Sequence, residues 1–508
     1  MKRTLAELTA VFDELDREHL RRQRRTIDSF VEAGSRVTAV VDGRQLVDFS
    51  SNDYLGLARH PAVAAAMSEC AERCGSGSGA SHLVTGHGAE HTRLEEELAA
   101  FTGRERALLF STGYMANLAV MTTLADRSET VLLDRLSHAS LIDGGLLSGA
   151  RFKRFAHADA GAAASAITES TSVLATDGVF SMDGDVGPLA DLAHIAKSRD
   201  AWLVVDDAHG LGVIGATGRG AVEHFGLDAD SVPVLVGTLG KAFGSFGAFV
   251  AGAAELIELL MQKARSYIYT TALPQPVAAA SRKALEIAQR ETWRRERVLA
   301  LAARFRQGAE QSGVPLLETA STVLPPSAKS SADRVHRHDG WSSADDAAPG
   351  ANAVASGANA VAGGANAVAG GGSAAAGGGS AAAGGGSAAG ASGAAAGGGS
   401  AAAGGGSAAA GGGSAAGASG AAANCGSGVA AQPLTPIQPV LLGSSEAALR
   451  AQRELLGAGF CVVAIRPPTV PQGGARLRVT LSAAHTEAQV DELIETLSRV
   501  CAARNMVS

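Results

Sequence analysis

Leu189-Ala190-Asp191-Leu192-Ala193-His194-Ile195-Ala196-Lys197-Ser198-Arg199 is followed, two residues on, by Trp202-Leu203-Val204-Val205-Asp206-Asp207-Ala208-His209. The first stretch has the length and composition of a helix. The second is a short apolar run that ends in two carboxylates and an imidazole. The same alternation fills the chain from about residue 50 to 280. A helix-length segment runs from His91 to Phe101. Further apolar runs are Ala107-Leu108-Leu109-Phe110, Thr130-Val131-Leu132-Leu133, Ser172-Val173-Leu174-Ala175 and Val234-Leu235-Val236. Strands alternating with helices predict an α/β fold, a mainly parallel sheet with helices on both faces. Ligands bind such sheets beyond the carboxyl ends of the strands. The polar clusters fall at those ends: Ser111-Thr112-Gly113, Asp134, Asp177-Gly178, Asp206 to His209 and Thr238-Leu239-Gly240-Lys241.

Lys241 follows a strand-like run and precedes the small-residue stretch Ala242-Phe243-Gly244-Ser245-Phe246-Gly247, with no carboxylate beside it in sequence. Burial of such a lysine favours the neutral amine, and a neutral amine can add to an aldehyde. A lysine, a carboxylate and an imidazole at neighbouring strand ends are the parts that a pyridoxal 5'-phosphate site needs. Asp206 is the candidate to keep a pyridine nitrogen protonated, and His209 to meet the phenolic oxygen. Ser111-Thr112-Gly113-Tyr114, between a strand and a helix, offers backbone amides for a phosphate, and Thr238 can add a hydroxyl. Each alone has an ordinary reading: a surface lysine, a capping or metal-binding Asp pair, a turn with an N-cap.

The 508 residues leave room for more than one domain, and 46% hydrophobic content supports a core. A net charge of −7 does not suggest a nucleic-acid partner. Five cysteines without metal spacing read as reduced thiols. No run reaches transmembrane length and no secretory signal is visible, so a cytoplasmic protein without membrane contact is expected.

Residues 1–50 read as an arm: a charged helix, then a hairpin of Val37-Thr38-Ala39-Val40-Val41 and Gln45-Leu46-Val47-Asp48-Phe49 turned at Asp42-Gly43. Residues 51–282 form the major domain. A smaller α+β C-terminal domain takes 283–321 and 433–508. It starts with one charged helix, Glu286 to Arg306, and resumes with a strand at Ile437 to Leu442 and a helix from Ser445 to Ala458. A strand pair, Cys461 to Ile465 and Ala475 to Leu481, and a last helix, Thr486 to Ala502, complete it. Residues 322–432 lose apolar periodicity, and the stretch from Gly370 to Ala396 recurs identically from Gly397 to Ala423. Glycine triplets break any helix there, so a disordered, low-complexity insertion without a role in turnover is expected.

Two patterns carry no site by themselves. Gly75-Ser76-Gly77-Ser78-Gly79 lacks the dinucleotide spacing. His87-Gly88-Ala89-Glu90-His91 matches a short inverted zinc-protease pattern by letter, but its glycines argue against a helix that would put both imidazoles on one face.

In this order the motifs resemble those of the α-oxoamine synthase family of fold-type I pyridoxal phosphate transferases. The resemblance rests on Phe49-Ser50-Ser51-Asn52-Asp53-Tyr54-Leu55-Gly56-Leu57, Asp134 to Ser140, Gly178 to Asp185, Asp206 to Gly210 and Thr238 to Lys241. It covers nearly all of the chain outside 322–432. Ser137-His138, Ala208-His209-Gly210 and Ala464-Ile465-Arg466-Pro467-Pro468-Thr469-Val470-Pro471 are most similar to the biotin-pathway branch. What the resemblance implies is decarboxylative condensation of L-alanine with a pimeloyl thioester, carried on acyl carrier protein or coenzyme A. Lys241 would hold the cofactor and shuttle protons, Asp206 and His209 would pair with its ring, and His138 would stack on it. Gly113, Tyr114, Ser181 and Thr238 would line it. Arg466 would grip the amino-acid carboxylate, Asn52 and Thr469 would border the substrate, and an arginine of the arm, Arg21 ahead of Arg22, would meet the acyl group. The resemblance also implies a homodimer, in which Tyr267-Ile268-Tyr269-Thr270-Thr271 reaches the partner's phosphate. The alternative is a glycine-using member, such as glycine C-acetyltransferase or 5-aminolevulinate synthase. A non-catalytic subunit of this fold would be expected to lack Lys241.

Overall fold

Side chains alternate across each core strand, and here both faces are covered, which is why the runs read as continuously apolar. The computed structural model describes residues 5–31, 37–317 and 433–505; the repeat-bearing segment 322–432 lies outside them. Strands β1 (Ile27–Phe30), β2 (Thr38–Val41) and β3 (Arg44–Asp48) belong to the arm. The large sheet is built from β4 (Arg106–Phe110), β5 (Thr130–Asp134), β6 (Arg151–Phe155), β7 (Thr171–Asp177), β8 (Trp202–Asp206), β9 (Val234–Thr238) and β10 (Ala248–Gly252). β11 (Ile437–Gly443), β12 (Phe460–Cys461), β13 (Val463–Ile465) and β14 (Ala475–Thr480) follow.

The large sheet runs β4-β10-β9-β8-β7-β5-β6. β9, β8, β7, β5 and β6 pair parallel, while β10 pairs antiparallel with both β9 and β4. The segment from Leu239 to Gly247 is too short for the crossover of about a dozen residues that a parallel neighbour needs. Leu203 and Val205 of β8 enter one core with Leu189, Leu192 and Ala196 of the helix Leu189–Ser198. Val204 enters the other with Ala116, Ala119 and Val120 of the helix Gly113–Leu124.

The first core continues without a break into the smaller β11-β14-β13 sheet through Val440, Leu477 and Val479. The residue 282/283 boundary falls inside the helix Gln275–Arg290, whose Ala278, Ala284 and Leu285 join that same core. The single helix expected over Glu286 to Arg306 is two helices, broken before Trp293. Buried Arg294 and Arg295 pin the second to the carbonyls of Leu55, Ala288 and Ala216. The strand expected over Cys461 to Ile465 also divides. β12 pairs parallel with β3, and β13 pairs with β14. In the arm, Asp42 and Gly43 both take positive φ, 51° and 72°, the two-residue hairpin turn that Asp-Gly favours. Among the described residues no helix is long and apolar enough to cross a membrane.

One cross-tie has a measurable consequence. His157, just after β6, bonds Asp134 through Nδ1 at 2.9 Å and Asp185 through Nε2 at 2.8 Å. Burial alone would lower its pKa, but the bonds to the two carboxylates outweigh it and raise it to about 10. Its contribution to stability is therefore complete below the ordinary value of 6.5 and fades as pH rises through about 10. His157→Ala leaves two buried carboxylates without their cation and costs about 3–5 kcal/mol in urea unfolding at neutral pH. The difference from the parent shrinks as the pH is raised toward 10.

Candidate active site

Asp177, Asp206 and Thr238 end the adjacent strands β7, β8 and β9, and Lys241 sits in the turn beyond. Thr238 Oγ1 donates to the Gly247 carbonyl at 3.0 Å and accepts from the Gly240 amide at 3.2 Å. Its hydroxyl is thus committed to holding the turn that presents Lys241. Lys241 Nζ lies 2.8 Å from His209 Nε2. Burial lowers this amine to about 8, Asp206 pulls it back up, and Arg478 lowers it further. A substantial neutral fraction is available at physiological pH.

Asp206 is buried, and both of its oxygens accept hydrogen bonds. Asn117 Nδ2 donates to Oδ2 at 2.6 Å and the Ala208 amide to Oδ1 at 3.1 Å. Asn117 also donates to Ser140 Oγ at 2.8 Å, and Ser140 Oγ lies 2.7 Å from His138 Nδ1. The His138 amide donates to Asp177 Oδ2 at 3.0 Å. Burial keeps the His138 imidazole below its ordinary pKa. Burial likewise holds His209 well below its ordinary value, and Lys241 and Arg478 lower it further. Asp207 faces away from this cluster. It accepts from the Ala221 amide at 2.7 Å, and burial raises it well above the carboxylate range. Side chains at Gly178, Gly210 or Gly220 would collide with it, so it is a structural acid.

The helix Gly113–Leu124 starts beside this cluster, with Thr112 Oγ1 capping the Met115 amide at 3.2 Å. The Gly113 and Tyr114 amides have no partner among the described residues, and a Cβ at Gly113 would meet open space. That is an anion cradle at a helix N-terminus. The unpaired amides, the buried lysine and the hydrogen-bonded acid fit pyridoxal phosphate. Tyr114 stands at the rim, its hydroxyl bonded to Asp143.

Arg478, on β14, also joins this cluster, and the motifs do not reveal it. Its Nε donates to the Ser181 carbonyl at 2.6 Å and its Nη1 to Asn52 Oδ1 at 3.0 Å, with Nη2 3.5 Å from Tyr54 Oη. Tyr54 Oη lies 2.7 Å from His209 Nδ1 and 3.2 Å from Asn52 Oδ1. Arg478 is buried and has no carboxylate partner among the described residues. One signal was in the sequence: Arg476 and Arg478 share one face of a strand whose other face, Leu477 and Val479, is core. Arg466 lies elsewhere, donating from Nη1 to the His19 carbonyl. In the arm, Arg22 Nη2 reaches Thr469 Oγ1 at 3.2 Å, whereas Arg21 pairs with Asp16 at 2.6 Å.

His87 and His91 come together without a shared helix. Residues 87 and 88 are not helical, yet the two rings come within 5.3 Å, centroid to centroid, and each also approaches His82.

The Aminotransferase class I and II family matches residues 44–340 and 422–497. The chain is 43% identical over 496 residues to an 8-amino-7-oxononanoate synthase of Cellvibrio japonicus, covering 97% of this chain and 95% of that one. It is 46% identical over 471 residues to one of Methylococcus capsulatus, covering 92% of each. A serine palmitoyltransferase of S. paucimobilis shares the fold with a TM-score of 0.72 at 24% identity, over 99% of this chain and 100% of that one. The chain therefore belongs to the class I and II aminotransferase family and, within it, to the pyridoxal phosphate-dependent 8-amino-7-oxononanoate synthases.

Proposed function

We propose that this chain condenses L-alanine with a pimeloyl thioester, releasing carbon dioxide and the thiol carrier, at the strand ends around Lys241. The observation that carries this reading is the buried Lys241 amine, lowered to about 8 and set beside His209, with Asp206 raising it from nearby. Pyridoxal phosphate, when bound, supplies an aldehyde that takes up amines and a cationic ring that accepts negative charge from the α-carbon. The rest falls to the protein. Lys241 Nζ takes the α-proton of the amino acid and later returns a proton. Asp206, oriented by Asn117 and the Ala208 amide, would pair with the ring nitrogen. His138, held by Ser140, would cover one face of the ring, and the Gly113 and Tyr114 amides would take the phosphate.

Tyr54 sets the tautomer of His209. While its hydroxyl donates to Asn52, His209 donates from Nδ1 and accepts Lys241 at Nε2. Turning that hydroxyl toward Nδ1 makes Nε2 a donor, the form that grips a phenolic oxygen. Arg478 takes the alanine carboxylate in place of Arg466, because it is a buried guanidinium with only neutral hydrogen-bond partners among the described residues and suits a bidentate anion. Arg22, Arg466 and Thr469 form the mouth through which the acyl chain enters.

The chain works as a homodimer in this reading, with Thr270 and Thr271 reaching the partner's phosphate. Exposed Leu83, Val84, Leu146, Leu147 and Tyr269 supply apolar surface for it.

The test is product formation from L-alanine with pimeloyl-coenzyme A or pimeloyl-acyl carrier protein, beside glycine with acetyl- or succinyl-coenzyme A. Turnover with alanine and pimeloyl thioester is expected. Turnover with glycine alone would replace the substrate assignment. At the mouth, Arg22→Ala raises KM for the pimeloyl thioester about tenfold or more, whereas Arg21→Ala, which breaks a surface pair, changes it by less than about threefold. Steady-state kinetics at fixed alanine checks both.

A further inference from the structure

His82, His87 and His91 form a cluster that the proposed chemistry leaves unused. Their ring centroids lie 5.1 to 5.3 Å apart, and a nitrogen from each falls within 4.8 Å of the others. Three imidazoles so placed suggest a metal ion, but His91 has no ring nitrogen to spare. The Gly88 amide donates to its Nδ1 at 2.9 Å, so the proton sits on Nε2, which donates to the Leu273 carbonyl. Burial lowers all three, His82 to about 3, which leaves a neutral, hydrogen-bonded cluster.

What the cluster touches is the segment that ends in Leu273. Ser78 Oγ donates to the same Leu273 carbonyl at 2.8 Å. The Ala272 amide donates to the Ala80 carbonyl at 2.9 Å, and Ser81 bridges Thr271. The His82 ring stacks on Tyr267 with centroids 5.0 Å apart and planes 11° apart. Between those anchors, Tyr269 is exposed and Thr270 and Thr271 lie outside any strand of the sheets. Their position is thus set by His82 at Tyr267, by the backbone contacts with Ala80 and Ser81, and by His91 with Ser78 at Leu273.

We infer that His91, assisted by His82 and Ser78, is a positioning residue for cofactor phosphate: it fixes the segment Tyr267 to Leu273 so that the hydroxyls of Thr270 and Thr271 meet the phosphate. This rests on the reading above that those hydroxyls reach it. A histidine suits the task because one neutral ring accepts from Gly88 and donates to Leu273 at once.

The experiment measures dissociation constants of pyridoxal phosphate and of pyridoxal, which lacks the phosphate, for the full chain and its variants. Thr271→Val is expected to weaken pyridoxal phosphate about tenfold and leave pyridoxal unchanged. His91→Ala is expected to do the same, with recovery toward the parent in His91→Gln, which keeps a donor for Leu273. If His91→Ala fails to fold, Ser78→Ala, which removes the other donor to that carbonyl, is expected to show the same phosphate-selective loss. A normal phosphate affinity in the His91 and Ser78 variants, or an equal loss for both ligands, overturns the inference while Thr271→Val remains weakened. An unchanged Thr271→Val points instead to failure of the phosphate reading of the segment, and removes the inference with it.

Discussion

Asp206→Ala lowers turnover about a thousandfold while changing cofactor affinity by less than about tenfold. The cofactor's ring can store negative charge only while its nitrogen keeps a proton, and in a water-excluded pocket that cation needs a fixed anion. Asp206 is buried at the end of β8 with Asn117 and the Ala208 amide aimed at it. Alanine removes the anion, and its neighbour Asp177 does not replace it, being tied to the His138 amide and raised chiefly by burial, which persists in the variant. The phosphate cradle at Gly113 and Tyr114 is untouched, so binding survives where rate does not. Turnover measured at saturating cofactor, beside a spectrophotometric cofactor titration, separates the two. Equal rates in variant and parent would remove the role.

Arg478→Ala raises KM for the amino acid about a hundredfold, the worth of a charged hydrogen-bonding partner of about 3 kcal/mol. Arg478→Lys recovers little, because an ammonium cannot offer the planar pair of donors. The variant has a second signature. Arg478 is one of the charges that lower Lys241, so removing it raises the pKa of the free amine above about 8. The pH dependence of amine labelling at Lys241 in the cofactor-free protein then moves to higher pH. Arg466→Ala, in contrast, leaves the amino-acid KM within about threefold. If Arg466→Ala gives the large effect and Arg478→Ala the small one, the two arginines exchange roles.

The two arginines also show where sequence stops being informative. Arg466 stands in a conspicuous motif, Ile465-Arg466-Pro467-Pro468-Thr469, and its type and company suggested an anion site. Arg478 lies inside an apolar strand, and only the register of β14 against β11 and β13 turns it toward Asn52 and Tyr54. Register is a tertiary fact that local composition leaves open. The large sheet was legible because its strands are buried on both faces and end in polar clusters. β6 is not legible, since Arg151-Phe152-Lys153-Arg154-Phe155 at the sheet edge carries charges that look like a loop. β10 is not legible either, because its alanines and glycine make a weak strand signal. Lys241, Asp206 and His209 were readable because each closes or follows an apolar run. Tyr54 and Ser140 lie within stretches that carry the family resemblance, but their contacts to His209 and His138 are tertiary, and Asn117 sits mid-helix, where nothing local marks it.

In the proposed function everything turns on the Lys241 amine, which would bond covalently to pyridoxal phosphate. Borohydride reduction of the protein after incubation with pyridoxal phosphate, followed by digestion and peptide mass spectrometry, tests it directly. One stable phosphopyridoxyl group, on Lys241, is expected, with loss of the aldehyde-linked absorbance. A folded protein that carries no such group, or carries it on another lysine while Lys241 stays free, would contradict it.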